Sequence, residues 1–174
     1  MFNKTGAFVT TAIVLFGFLG MPAAFAQSQP CYTLASLQGS YAIIGNYGAN
    51  VAIALGVRSF NGQGNLTGTF VVNEPKAGST TGERTIVTGT QKGTYTVNCD
   101  GTGVITRILT LANGSTSTGV DDFVITGGGV YNGWSSVIAT AMVDAQRTPS
   151  TIVSGGIFLS RTYSRLPGPI VLPQ

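Results

Sequence analysis

The sequence predicts an all-β protein, built as a single antiparallel up-and-down β-barrel of about eight strands. Three observations support this fold class. Short runs of alternating apolar and polar residues recur along the chain, turns rich in Gly and Asn-Gly separate them, and no segment keeps a 3.6-residue apolar period. A meander of this kind protects its edges by closing into a barrel or by stacking into a sandwich. We favour the barrel.

The first 26 residues have the three parts of a secretory signal peptide. Lys4 gives a positive start, an apolar run covers 7–19, and the small-x-small site Ala-Phe-Ala occupies 24–26. The apolar run is shorter than the roughly 20 residues that span a bilayer. We therefore expect cleavage after this site, a barrel domain at 27–165, a Pro-rich tail at 166–174, and a secreted or periplasmic protein.

The chain is poor in charge and has no histidine. Its 9 basic and 6 acidic residues make up 9% of the sequence, against a usual share of about 25%. A net charge of +3 is too weak and too scattered for a nucleic-acid footprint. Without histidine, Ser-His-Asp and Cys-His hydrolases are excluded in their usual form. We expect no cofactor, no metal and no nucleic-acid partner.

The candidate strands and turns divide the chain evenly. Strands are predicted at 40–46, 51–60, 66–73, 84–88, 93–98, 104–112, 120–126, 135–144 and 152–163. Hairpin turns are predicted at 61–65 and 98–103, the longest loop at 74–82, and breaks at 113–119 and 127–129.

Several candidate strands are apolar on both faces, as in the pairs Ile43-Ile44 and Val71-Val72. A lone sheet in water has one wet face. We therefore expect that one face lines an apolar cavity and that self-association, as a dimer or trimer, covers the other. An outer-membrane barrel also fits the chain length. Against it stand the Pro-rich tail and the charges that interrupt candidate strands, and we expect no integral membrane span after removal of the signal.

The two cysteines, Cys31 and Cys99, are an even count in a chain predicted to be exported. In an oxidising compartment this favours a disulfide, which would tie the start of the mature chain to the turn at 98–103. Two buried thiols are an alternative. A metal pair is another, although a metal would need more ligands than two cysteines.

Three motifs carry a resemblance to known proteins. Cys31 is followed by LQGSYA at 37–42, FNGQGNLTGT at 60–69 and GTYTVNCDGTG at 93–103. Together they resemble small exported bacterial Gly/Thr-rich β-proteins. More remotely, the chain is similar to the allene oxide cyclase and dirigent β-barrels. That resemblance implies eight strands, an apolar ligand in the lumen and trimer formation, and it transfers no catalytic residue.

The candidates for ligand contact are four aromatic residues and one cation. Aromatic side chains line pockets but more often form plain core. An arginine on a strand can bind a ligand carboxylate, although a position at the rim is more common. The candidates are Tyr41, Tyr95, Arg107, Trp134 and Phe158.

Catalytic residues cannot be assigned from the sequence. Asp121 and Asp122 form the one adjacent carboxylate pair, and in a strand they point to opposite faces. One of them could enter a lumen, although a solvated strand end or turn is the more common setting. Asp144 is interpreted as a strand terminator.

Three classes of function remain. We favour an exported barrel that binds a small apolar or amphipathic molecule. The first alternative is a cofactor-independent cyclase or isomerase of the allene oxide cyclase kind, in which a shaped cavity constrains the substrate. The second is a cell-surface or matrix protein for adhesion or structure. An accessible cavity favours the first two, and a filled core with an open sheet edge favours the third.

Overall fold

The computed structural model describes residues 31–47, 50–130, 137–152 and 157–168. In these parts of the chain, eight antiparallel strands run in sequence order around one closed barrel, which confirms the predicted fold class. A short 3₁₀ turn (Leu34–Ser36) precedes them. The strands are β1 (Gln38–Asn46), β2 (Ile53–Asn61), β3 (Asn65–Pro75), β4 (Arg84–Val97), β5 (Thr102–Leu111), β6 (Thr116–Val130), β7 (Val137–Gln146) and β8 (Ser160–Arg165).

The barrel closes because β8 pairs with β1 as well as with β7. The predicted signal peptide and all of the tail beyond residue 168 lie outside the described residues, so the cleavage site stays a prediction. No helix in the described ranges is long and apolar enough to cross a membrane.

The two predicted hairpin turns are confirmed. Gly62 between β2 and β3 has φ +75°, and Gly101 between β4 and β5 has φ +86°. Glycine adopts this left-handed region without a steric penalty. In the first turn the side-chain oxygen of Asn61 accepts backbone hydrogen bonds from Gln63 at 2.8 Å and Asn65 at 3.0 Å. These turns set the register of the strands they join.

Some predicted boundaries are wrong because glycine stands inside strands. The predicted strands at 84–88 and 93–98 are one continuous strand, β4, and the predicted break at 127–129 lies within β6 at an irregularity in its pairing with β7. At Gly89 a Cβ would lie 2.6 Å from the ring of Phe70. Glycine there makes room for a neighbouring side chain and does not end the strand.

The interior has two apolar clusters, one at each end of the barrel. The lower cluster lies beside the β2–β3 and β4–β5 turns, and its larger members are Leu37, Tyr41, Phe60, Tyr95, Ile105, Phe123 and Met142. The upper cluster lies beside the β1–β2 and β7–β8 connections, and its buried members are Ala52, Phe70, Val72, Leu109 and Leu159.

The lower end is closed by the N-terminal segment. The Cys31–Cys99 disulfide, confirmed here, joins this segment to the β4–β5 turn. The backbone N–H of Tyr32 donates to the carbonyl of Cys99 at 3.1 Å. The hydroxyl of Tyr95 donates to the carbonyl of Leu37 at 2.9 Å, which fixes the 3₁₀ turn over the lower cluster. A ligand would therefore have to enter the interior from the upper end.

Candidate functional site

Three arginines from three strands lie inside the barrel, between the two apolar clusters. All are at least nine-tenths buried: Arg58 on β2, Arg107 on β5 and Arg161 on β8. Glycines on neighbouring strands give them room. Gly68 is the register partner of Arg58, and Gly119 is a register partner of Arg107. A Cβ at Gly119 would lie 3.3 Å from the guanidinium carbon of Arg107, so a larger residue there would press on the cation.

Two fully buried carboxylates hold two of these arginines. Arg107 donates to Asp121 on β6 through Nε at 2.6 Å and Nη2 at 3.1 Å. Arg161 donates through Nε to Asp144 on β7 at 2.9 Å. Its Nη2 also lies 2.7 Å from Asp121 Oδ1, close enough for strong attraction although the angle does not suit a hydrogen bond. Bidentate pairs of this kind fix both partners in space.

Arg58 is held differently, because its hydrogen-bond partners are neutral. Its Nη1 donates to the hydroxyl of Tyr163 at 2.5 Å and its Nη2 to Oε1 of Gln91 at 2.8 Å. The nearest carboxylate oxygen, on Asp144, is 3.7 Å from Nη1 and accepts a hydrogen bond from Tyr163. Arg58 Nε has no partner among the described residues.

We call these groups the charged layer: Arg58, Gln91, Arg107, Asp121, Asp144, Arg161 and Tyr163. Its three cations face two carboxylates, so the layer carries one uncompensated positive charge. All 6 acidic residues of the sequence are described, and the other four are half-buried or exposed. No Asp or Glu side chain of the sequence is therefore left to balance the third arginine.

The pKa values in the layer agree with this imbalance. Burial lowers the pKa of Arg58, and the charges of Arg107 and Arg161 act in the same direction. Burial favours the neutral form of Asp121, but the hydrogen bond from Arg107 and the charge of Arg161 hold the pKa of Asp121 below its usual value. Burial also raises the pKa of Tyr163, so its hydroxyl stays a donor. The carboxyl group of Asp121 therefore stays ionised and is poorly suited to transfer protons near neutral pH.

A cavity of about 50 Å³ lies between the charged layer and the upper cluster. It is lined by all three arginines and by apolar side chains that include Phe70, Leu109 and Leu159, and the β7–β8 connection forms part of its wall. The walls of this cavity are largely apolar, but its floor is charged. The volume is enough for a few water molecules or one small group of a ligand.

A larger depression of about 720 Å³ lies across β6, β7, β8 and β1, next to the exposed side chains of Ile44, Asp122 and Val124. It is an open surface groove and encloses nothing. Small-molecule sites are usually concave and bury most of the ligand. The interior cavity is therefore the better candidate site.

Of the five candidates for ligand contact, Arg107 lines the cavity. Tyr41 and Tyr95 belong to the lower cluster, and the hydroxyl of Tyr41 donates to the carbonyl of Ala139 at 2.7 Å. Phe158 is 64% exposed in the β7–β8 connection. Trp134 lies outside the described residues. The structure therefore brings one of these candidates to the cavity and places three others elsewhere.

The acidic residues also differ from the sequence interpretation. Asp121 is fully buried in the charged layer, so the setting of a solvated strand end or turn is wrong for it, while Asp122 faces outward and pairs with Arg147. Asp144 does not end a strand, because it lies within β7. Sequence reasoning overlooked Arg58, whose strand neighbours Gly56 and Phe60 share its inward parity.

Comparisons with protein families, with curated proteins and with solved structures find no match. The chain shares an eight-stranded antiparallel barrel with the allene oxide cyclase proteins that it resembles. No match supports membership of that family or of the small exported proteins. Within the described residues, no group of three or more Asp, Glu or Cys side chains is placed to hold a metal.

Proposed function

We propose that the protein binds a small amphipathic molecule in the upper half of its barrel. The observation that supports this function is the cavity with a charged floor and apolar walls. A ligand with a polar head and an apolar body matches both surfaces: the head meets the charged layer, and the body packs against Phe70, Val72 and Leu109. Pockets of this kind gain affinity from apolar burial and orientation from a few polar groups.

The size of the cavity limits the ligand. Pockets for drug-sized molecules occupy about 300–1,000 Å³, whereas this cavity has about 50 Å³. A head group and a few carbons fit inside. A longer chain would leave past Ser150 and Ile152 in the β7–β8 connection, which line the same cavity. The proposal therefore favours short-chain molecules over long lipids.

Filling the cavity tests this proposal. Replacing Leu109, which lines the cavity, by Phe is expected to weaken the binding of a short amphiphile about tenfold or more, since a tenfold loss corresponds to about 1.4 kcal/mol of lost contact. The matched control is Ile108→Phe, because Ile108 is next to it in β5 but 42% exposed. Calorimetric titration with butanoate and with 1-butanol measures the affinity of each variant.

The proposal requires that at least one of the two probes binds at one molecule per chain and that Leu109→Phe weakens this binding while Ile108→Phe does not. If neither probe binds saturably, or if both variants behave alike, the proposed function is wrong. Thermal unfolding of each variant establishes that a loss of binding is not a loss of fold.

We also propose that a second copy of the chain covers the outer face of β1 to β3. Ile44, Leu55 and Val71 are direct register partners across these strands, and they are 50%, 56% and 43% exposed. An apolar row of this kind is costly to leave in water. Light scattering after size exclusion is expected to give a dimer or trimer, and Leu55→Asp to give a monomer. Ile108→Asp on β5, a strand that pairs with none of β1 to β3, is the control; a monomeric wild type contradicts the proposal.

We also propose that the protein is located outside the cytoplasm. A disulfide such as Cys31–Cys99 persists mainly in oxidising compartments, which supports a secreted or periplasmic protein.

A further inference from the structure

We propose that the head group of the ligand is a single negative charge of carboxylate size, and that Arg58 is the residue that binds it. The inference rests on the proposed function for the apolar part of the ligand. The binding of an anion does not depend on that function, because the charge imbalance is a property of the barrel interior.

The buried charges inside the barrel do not balance. Three arginines and two aspartates are buried together, and a buried charge without a partner is strongly unfavourable. The internal segments that are not described, 48–49, 131–136 and 153–156, contain no acidic residue in the sequence. No side chain of those segments can supply the missing negative charge. An anion from outside the chain can.

The buried atoms that make no hydrogen bond are all donors. Among the described residues, the buried side-chain atoms without a hydrogen bond are Arg58 Nε, Arg161 Nη2 and the hydroxyl of Tyr47. The three side chains line the same cavity. Both arginine atoms are donors, and burial raises the pKa of Tyr47 to about 12, so its hydroxyl keeps its proton. The site offers donors and a positive charge, so it selects an acceptor that is negatively charged.

The charge of the layer determines the charge of the anion that suits it. One uncompensated charge in the layer is neutralised by one negative charge. A dianion such as sulfate would reverse the imbalance and bury a net negative charge, which is again unfavourable. A carboxylate has two oxygens in one plane, and this geometry matches the planar donors of a guanidinium. A small monocarboxylate therefore fits the charge, the donors and the volume together.

The test compares four-carbon probes whose head groups are negative, neutral or positive with two anions that have no alkyl chain. Butanoate, 1-butanol and butylammonium are titrated into the full chain at constant ionic strength, together with formate and sulfate as sodium salts. Butanoate is expected to bind about tenfold or more tightly than 1-butanol, equivalent to about 1.4 kcal/mol. Formate is expected to raise the melting temperature because it binds the folded state. Butylammonium and sulfate are expected to show no saturable binding.

The variants assign the effect to Arg58. Arg58→Met removes the cation, keeps a long side chain and leaves two arginines facing two aspartates, so it is expected to fold. It should lose the preference for butanoate over 1-butanol and the stabilisation by formate. Arg147→Met, which removes an exposed cation paired with Asp122, should keep both. If Arg58→Met does not fold, Tyr47→Phe, which removes another buried donor without a hydrogen bond, is expected to weaken butanoate binding several-fold, because one hydrogen bond to the anion is lost.

The outcomes separate the two proposals. If 1-butanol binds as tightly as butanoate and formate has no effect, the anion site is wrong and the amphiphile pocket remains. If formate stabilises the protein but no four-carbon probe gains affinity over it, the anion site stands and the proposed function fails. Equal loss in Arg58→Met and Arg147→Met would also overturn the assignment to Arg58.

Discussion

Replacing Asp121 by Asn is expected to lower the free energy of unfolding by about 3–5 kcal/mol, the usual cost of removing one partner from a buried ion pair. Asp121 is fully buried and accepts hydrogen bonds from Nε and Nη2 of Arg107. It also lies within 2.7 Å of Arg161. The amide would leave three buried cations with a single carboxylate. Urea unfolding of the variant and the wild type measures the loss.

The neighbouring residue provides a matched control. Asp122→Asn removes the same charge one position along β6, where the side chain is 53% exposed and pairs with Arg147, itself 57% exposed. Exposed pairs contribute about 0–1 kcal/mol. We therefore expect little change in the free energy of unfolding. Similar losses in the two variants would mean that the buried network does not stabilise the fold.

The lowered pKa of Asp121 leads us to expect that the stability of the protein depends on pH. The pKa of Asp121 is lower in the folded protein than in the unfolded chain. Its stabilising effect is therefore complete above the unfolded value of about 3.9 and is lost as the pH falls through the folded value. The unfolding free energy of the wild type is expected to fall below about pH 4, and that of Asp121→Asn to fall less steeply. Parallel curves would contradict this assignment.

The sequence predicted the barrel because its local signals agree with the global fold. Alternation of period two indicated the strands, and the Asn-Gly turn at 61–65 and the Asp-Gly turn at 98–103 joined them in register. The prediction of strand boundaries failed where a glycine is required by contacts between strands rather than by a turn. Glycine at 127–129 looked like a break, yet it lies inside β6. Whether an interior glycine ends a strand or admits a neighbour depends on contacts across the sheet, which one sequence does not contain.

The charged layer was predicted only in part. Arg107 was a candidate because it alternates with Ile105 and Leu109, and the same parity rule would have found Arg58 beside Phe60. Alternation shows that a residue faces inward. It does not show which carboxylate meets it, since Arg107 and Asp121 are paired through the register of β5 with β6. The excess of one cation appears only when all inward charges are counted together.

Replacing Gly93 by Ala is expected to lower the free energy of unfolding by about 3 kcal/mol, at the upper end of what overpacking costs. Gly93 on β4 is the register partner of Arg107. A Cβ at Gly93 would lie 2.1 Å from the carbonyl oxygen of Thr106 and 2.7 Å from the Cα of Arg107. Both are backbone atoms, so β5 would have to move and carry Arg107 away from Asp121.

Gly129→Ala in β6 is the control, because no atom of the described residues lies within 4 Å of its Cβ. It is expected to change stability by less than about 1 kcal/mol. Urea unfolding of both variants, with a butanoate titration at low denaturant, tests whether the close approach of β4 and β5 holds the charged layer in place. Equal stability of the two variants would show that it does not.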